Sequence, residues 1–343
     1  MLPRCWLHIG VEKTGTTSIQ NFLAANRSAL RARGVLYPLT PGAVSHLGLV
    51  AYALDDARVD GTRKVRRLFD PAQIASFRGR FTRALDEEIS TSGASEIILS
   101  SELLSSRLRS PSEIARLKSL CDRIARRTNV VVYLRNQVDF LVSRYTTIIQ
   151  LGGREEFGVR GIAFGDYARL LDRWATTFGR GNLIVRRFEP QDFVDGDLLA
   201  DFAAATDLGF KNLVAVPRHN ESLDAESLAF LRAINRGFPQ KIAERVGSLR
   251  SAAVAVLQRR QGGTKFLIPP KLAGRIGTHF RASNEYVSRQ YFESRYQPLF
   301  APAKLVARNG DTPPGPLHCY EALHLSGVVA LGLIKQAFRR FGR

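Results

Sequence analysis

The run Leu7-His8-Ile9-Gly10-Val11-Glu12-Lys13-Thr14-Gly15-Thr16-Thr17-Ser18 carries an apolar segment into a glycine-bearing turn and then into a helix start, with one lysine and a series of hydroxyls. That order commits the chain to a strand, a tight turn and a helix. In such a corner the backbone N–H groups of the turn and of the first helical turn converge, and the helix dipole adds roughly half a positive charge there. An anion of phosphate or sulfate shape fits that place. An ordinary corner needs the same Gly and Thr for its turn and cap, so the loop alone leaves both readings open.

The order within the loop narrows the choice. A nucleoside-triphosphate loop of the form G-x-x-x-x-G-K-[ST] sets its lysine directly after the second glycine, followed by a Mg²⁺-binding hydroxyl. Here Thr16 follows Gly15, and the lysine is Lys13, ahead of that glycine. The charge has moved to the front of the loop, within reach of a bridging oxygen rather than of terminal phosphates.

A second segment adds to this. Asn129 to Leu134 reads as a buried strand that delivers Arg135 and then a helix bearing Ser143 and Tyr145. A guanidinium offers a planar fork to a phosphate, and a hydroxyl two helical turns on can add a further bond. Two anion sites on neighbouring strand ends suggest one nucleotide with phosphates at two positions.

With these residues in view, the chain resembles the sulfotransferases that use 3′-phosphoadenosine 5′-phosphosulfate (PAPS). Their 5′-phosphosulfate loop, K-x-G-T-T after a strand, is matched by Lys13, Gly15, Thr16 and Thr17. Their 3′-phosphate motif, an Arg followed eight positions on by Ser and then an aromatic, is matched by Arg135, Ser143 and Tyr145. The resemblance runs from about Arg4 to Tyr145 and extends to about Phe300. The runs Ile19 to Leu23 and Gly34 to Pro38 look like bacterial members that modify glycans or other small hydroxylated acceptors.

The resemblance implies in-line transfer of a sulfuryl group from PAPS to an acceptor hydroxyl, with adenosine 3′,5′-bisphosphate as the other product and no metal. Lys13, Thr14, Gly15, Thr16, Thr17 and Ser18 would hold the 5′ end, and Arg135 with Ser143 the 3′-phosphate. Lys13 would stabilise the leaving oxygen. The expected general base is Glu102, at the end of the strand Glu96 to Ser100, with His46 as its rival; family members use either Glu or His. Glu102 reads equally well as a helix-capping or salt-bridged carboxylate, and His46 as a structural histidine. His8, inside the first strand, reads as packing. Arg218, His219, Asn220 and Ser222 form a polar cluster before a helix near Leu223.

Strands and helices alternate along the chain, which predicts an α/β fold: a P-loop-like parallel sheet flanked by helices, with a mostly helical C-terminal part. The pattern predicts strands at about 4–9, 96–100, 129–134 and 182–187. Helices are predicted at about 16–33, 46–54, 71–90, from a Ser112 cap to 127, and at 166–178. Residues 1–311 read as one sulfotransferase-like domain, and 312–343 as a Pro313-Pro314-Gly315-Pro316 linker with a basic amphipathic tail. The tail's apolar run is too short to span a bilayer. Packing on the domain, joining two subunits and lying on an anionic membrane surface are all open to it.

The formal charge of +19 is also the footprint of nucleic-acid binders. No zinc-finger spacing and no aromatic-and-basic RNA-binding signature accompanies it, so the expected partners are an anionic nucleotide and a hydroxylated acceptor, glycan or glycolipid, and no nucleic acid. Three widely spaced cysteines and a first strand that starts almost at once fit a cytoplasmic enzyme, with the tail available at the inner membrane face. A Mg²⁺-dependent P-loop kinase or nucleotide hydrolase is the alternative chemistry. A binding module that has lost its base is the third reading.

Overall fold

The computed structural model describes residues 2–158, 162–209, 213–214, 223–237, 247–259, 263–307, 326 and 329. The cluster Arg218, His219, Asn220 and Ser222, the boundary expected at 311/312, Cys319 and nearly all of the tail lie outside these. Two compact units emerge, each assembled from separate stretches of chain: 1–135 with 166–218 and 283–301, and 136–165 with 219–282 and 302–343.

The first unit is built on a five-stranded parallel sheet in the order β2-β3-β1-β4-β5. The strands are β1 (Arg4–His8), β2 (Val35–Leu36), β3 (Glu96–Ser100), β4 (Arg127–Leu134) and β5 (Leu183–Arg187). Helices α1 (Thr16–Ala25), α2 (Arg27–Arg31), α3 (Leu47–Ala53), α4 (Gly61–Val65), α5 (Pro71–Ser90), α6 (Leu103–Arg107) and α7 (Pro111–Ile124) precede β4. The runs Ile97-Ile98-Leu99 and Val130 to Leu134 are entirely buried, as unbroken apolar strands of a parallel sheet covered on both faces must be. One core layer joins Trp6, Ile98, Val131 and Tyr133 of the sheet to Ile19, Phe22 and Leu23 of α1 and to Phe202.

Several boundaries differ from expectation for identifiable reasons. The helix predicted to run from 16 to 33 breaks at Asn26, whose side chain bonds both backbone groups of Val214 as well as the Phe22 carbonyl. The cap of α7 is Ser110 and not Ser112: Ser110 Oγ accepts from Glu113 N, Glu113 returns a bond to the Ser110 N–H, and Pro111 opens the first turn. The helix then stops at Ile124, and β4 starts two residues earlier than predicted. The two-residue β2 was not expected at all, because it carries too little pattern to register as a strand.

In the second unit, α8 (Gln137–Gln150) packs Tyr145 and Ile149 against Leu228, Phe230 and Leu231 of α11 (Ala225–Gly237) and Leu257 of α12 (Gly247–Leu257). Asp139, in the first turn of α8, accepts from the N–H groups of Lys304 and Leu305. After α8 the chain returns to the first unit as α9 (Tyr167–Phe178), β5 and α10 (Leu198–Ala205). Helix α13 (Pro270–Phe292) begins in the second unit and ends among first-unit residues. There Ser283 accepts from Ala168 N and donates to Asp166, and Tyr286 donates to Asp172 at 2.7 Å.

Arginines fasten the loops of the first unit. Arg63, wholly buried, donates to the carbonyls of Ala51, Leu54, Asp55 and Arg58. Arg78 and Arg116 reach the same end of α3, at Tyr52, Ala53 and Leu54. The C-terminal carbonyls of a helix carry partial negative charge that cations satisfy. Arg27 of α2 pins the loop before α3 through the carbonyls of Tyr37 and Ala43. Leaving buried acceptors unpaired costs about 1–3 kcal/mol each. Arg63→Met is therefore expected to lower stability by about 3 kcal/mol in a denaturant titration, and Arg63→Lys to recover little, since one ammonium cannot span four carbonyls. Stability within 0.5 kcal/mol of wild type, a typical ceiling of about that size for surface substitutions, would contradict this role.

Candidate functional site

The strand order places a topological switch point between β1 and β4: the chain leaving β1 turns toward β2, and the chain leaving β4 leads to β5 on the other side. Ligands of open α/β sheets bind outside the carboxyl ends of strands at such a point. In the register His8 pairs with Ser100 of β3 and with Val131 of β4. Arg135 thus stands four residues past the level of the β1 end, roughly 13 Å further at about 3.3 Å per residue. It leans over the loop that follows β1.

That loop has an unusual backbone. Gly10, Lys13 and Gly15 all have positive φ, at 55°, 70° and 73°. A Cβ on Gly10 would lie 2.9 Å from Glu102 Cα and 2.7 Å from Thr16 Cγ2, and one on Gly15 would collide with Leu198 and crowd Phe188. Both glycines are therefore required for space as well as for conformation. Lys13 is not a glycine, and holding it left-handed costs roughly 1–2 kcal/mol. Backbone strain of this kind collects at functional sites.

Gly15 caps α1 without any side-chain hydrogen bond, and the first turn holds no acidic residue. Arg135 donates from Nη1 to the Lys13 carbonyl at 2.9 Å, and its guanidinium lies 5.7 Å from the Phe188 ring centroid. Phe188 thus lies beside both Gly15 and Arg135. Lys13 is exposed as a residue, yet its ammonium is held below the usual lysine range, first by partial desolvation and then by the Arg135 charge, with Glu12 opposing. Two neighbouring cations at a bare helix N-terminus constitute a site that an anion would stabilise.

The hydroxyls of the loop do not all face one way. Thr14 is buried and donates to the Val11 carbonyl at 2.6 Å, bracing the turn from inside. Thr16 is nearly buried, Ser18 is half-buried and Thr17 is exposed. Ser143 sits half-buried on α8 in the second unit, where its carbonyl accepts from the Thr147 hydroxyl, and Tyr145 belongs to that unit's core, edge-on to Phe157.

Glu102 follows β3 immediately. It occupies the cap position of α6 but makes no capping bond, and it forms no ion pair among the described residues. Its Oε2 accepts from Gln20 Nε2 at 2.9 Å and lies 3.5 Å from Ser45 Oγ. Gln20 was not among the expected site residues. Its signal is a polar side chain on the face of α1 that also carries the buried Thr16, Ile19 and Leu23. Gln20 Nε2 also reaches Ser100 Oγ, which bonds His8 Nδ1 at 2.8 Å.

His46 is completely buried. Its N–H donates to the Ser100 carbonyl, its Nδ1 accepts the Ser100 N–H at 3.1 Å, and its ring stacks on Tyr37. The Nδ1 lone pair that a base would need is already engaged. Burial drives both His8 and His46 down to about 3; Arg27 adds to the effect at His46 and the Pro38 carbonyl opposes it. Among the described residues no group of three or more His, Cys, Asp or Glu side chains could hold a metal ion, and no helix is long and apolar enough to cross a membrane. Cys5 and Cys121 are buried free thiols.

No family model matches the chain. It is 27% identical over 177 residues to an uncharacterised protein of Archaeoglobus fulgidus, covering 50% of this chain and 47% of that protein, so it spans about half the length of the curated relative it matches. Among solved structures it is similar to a sulfotransferase from Alicyclobacillus acidocaldarius, with a TM-score of 0.39, 15% identity, and coverage of 70% of this chain and 95% of that one. It is also similar to a sulfotransferase domain from the curacin biosynthetic pathway, with a TM-score of 0.36, 10% identity, and coverage of 62% and 76%.

The two buried histidines set an acid limit on the fold. Each has a folded pKa below that of an unfolded histidine, so the unfolded chain takes up more protons between pH 6.5 and 3. Their contribution is intact above pH 6.5 and is lost as the pH falls through that window, at on the order of 1 kcal/mol per pH unit for each ring. A His8→Asn, His46→Asn double variant is expected to lose melting temperature less steeply than wild type between pH 6.5 and 4. Parallel slopes in a thermal scan would show that the rings are not the cause.

Proposed function

We propose that this chain is a PAPS-dependent sulfotransferase that moves a sulfuryl group to an acceptor hydroxyl, on a glycan or another small hydroxylated acceptor. The observation that carries the reading is the Arg135 bond to the Lys13 carbonyl. It joins the cation at the end of β4 to the loop after β1, so that one nucleotide bearing phosphates at both its 3′ and 5′ positions would meet both. The donor set fits such a ligand: an uncapped helix N-terminus, two adjacent cations, and glycines where side chains would obstruct the backbone.

The nucleotide supplies the sulfuryl group; the chain's own residues do the rest. The N–H groups opening α1 and the exposed Thr17 hydroxyl hold the 5′ end. Lys13 stabilises the negative charge that grows on the bridging oxygen as the bond to sulfur breaks. A single preorganised donor of this kind is worth about 2.7–4 kcal/mol of barrier. Arg135 engages the 3′-phosphate, and Ser143 carries over from the sequence spacing as its companion. Glu102 takes the proton of the attacking hydroxyl. The geometry favours it over His46, whose Nδ1 is already an acceptor inside the core.

Calorimetric titration of the purified chain is expected to show tight binding of adenosine 3′,5′-bisphosphate that does not need Mg²⁺, weaker binding of ADP and ATP, and loss of the discrimination in Arg135→Ala. Ser143→Ala tests the companion separately. With labelled PAPS and a panel of hydroxylated acceptors, Glu102→Gln is expected to lower kcat by about 10²–10⁴ while bisphosphate affinity is retained. Preferential, Mg²⁺-dependent binding of ATP would replace this reading with the kinase. Bisphosphate binding with no turnover on any acceptor would leave a binding module.

A further inference from the structure

We propose that Gln20 is a positioning residue for the Glu102 carboxylate, an inference that rests on Glu102 being the proton acceptor of the sulfuryl transfer described above. Gln20 is 3% exposed and lies one helical turn beyond Thr16 on α1, the helix whose N-terminus forms the anion cradle. An ionised carboxylate can only accept hydrogen bonds, so the Gln20 atom 2.9 Å from Glu102 Oε2 is the amide nitrogen. Its second hydrogen is directed at Ser100 Oγ, 3.3 Å away. Both protons of one amide are thus used, one on each side.

The consequence is an asymmetric carboxylate. Oε2 is occupied by Gln20 and faces Ser45, whereas Oε1 has no partner among the described residues and is the oxygen left to meet an acceptor hydroxyl. Gln20 itself cannot pass a proton along. The chain from Glu102 through Gln20 and Ser100 to His8 therefore ends in a neutral, buried imidazole and fixes geometry without acting as a relay. Ser100 is the last residue of β3 and His8 the last of β1, paired in register, so the carboxylate is tied through Gln20 to two adjacent strands of the sheet.

The test separates shape from hydrogen-bond polarity. Gln20→Glu keeps the side-chain outline but sets a second carboxyl against Glu102, so that the pair must share a proton, Gln20→Leu removes all polarity, and Gln20→Lys restores donors on a long stem. The expected result is a kcat lower by about 10²-fold in the Glu and Leu variants, the loss that an angstrom of misplacement can cause. KM for the acceptor and the affinity for the bisphosphate stay unchanged, and the Lys variant recovers part of kcat. Ser100→Ala, which removes the second anchor of the amide, gives a smaller loss and serves if a Gln20 variant does not fold.

An independent readout needs no turnover. In protein labelled with ¹³C-carboxyl glutamate, the Glu102 resonance, identified by its disappearance in Glu102→Gln, is expected to move at pH 8 in Gln20→Leu. A moved resonance in a chain that transfers no sulfuryl group to any acceptor would refute the transferase reading while supporting the Gln20 contact. An unmoved resonance, or a kcat within twofold of wild type in both Gln20→Glu and Gln20→Leu, overturns the positioning role.

Discussion

Where the chain leaves β1, the backbone of Gly10 passes so near Glu102 that no side chain can stand between them. That single approach fixes the site. It sets the height at which the cradle loop begins, and it brings the exit of β3 to the same level as the exit of β1, an alignment the register already imposes through His8 and Ser100. The loop carrying Lys13 and the Glu102 carboxylate consequently meet at one backbone crossing. The Lys13 loop and Glu102 therefore share one backbone reference at the ends of β1 and β3.

The high positive charge has more than one use within this fold. Arg63, Arg78 and Arg116 converge on the C-terminal end of α3, and Arg27 secures the loop that precedes it. These side chains bond mainly to backbone carbonyls, which satisfies the polar groups of a segment of short helices and turns whose apolar side chains Leu49, Val50 and Leu54 are buried in the core. Arg135 instead joins Lys13 at the cradle, where their charges repel and a polyanion would relieve the repulsion. The cluster Arg63 to Arg67, which from sequence looks like one basic patch, is divided by the fold: Arg63 is interior, Arg66 half-buried, and Lys64 and Arg67 exposed.

Much of the architecture is legible from local pattern. The apolar runs of β1, β3 and β4 and the Pro-opened α5 stand where their sequence places them, because unbroken apolar stretches and Pro at a first turn act locally. What escapes is set by distant partners. Asn26 breaks a continuous helical pattern because Val214 offers it two backbone groups, and β2 exists only because β3 offers an edge. The same division holds at the site. Lys13, Gly15 and Arg135 announce themselves by residue type and spacing, whereas Gln20, Ser45 and Phe188 gain their significance from tertiary neighbours. Thr14 shows the limit of spacing most clearly: it lies within the cradle motif, yet its hydroxyl turns inward to Val11.

The interleaving of the two units bears on how the molecule comes into being. The first unit draws on residues 1–135, 166–218 and 283–301, and its contacts include Ser283 against Asp166 and Tyr286 against Asp172. As a ribosome releases the chain, the cradle loop and its neighbouring strands emerge early, but β5 must wait for residue 187, and the final segment arrives only near residue 300. Contacts this far apart in sequence are slow to form, and exposed strand edges invite aggregation in the interval. The nascent chain must therefore carry an incomplete sheet until β5 has emerged, and a shortened gene ending after β5 would encode a β4–β5 pair without the helix segment that packs against α9.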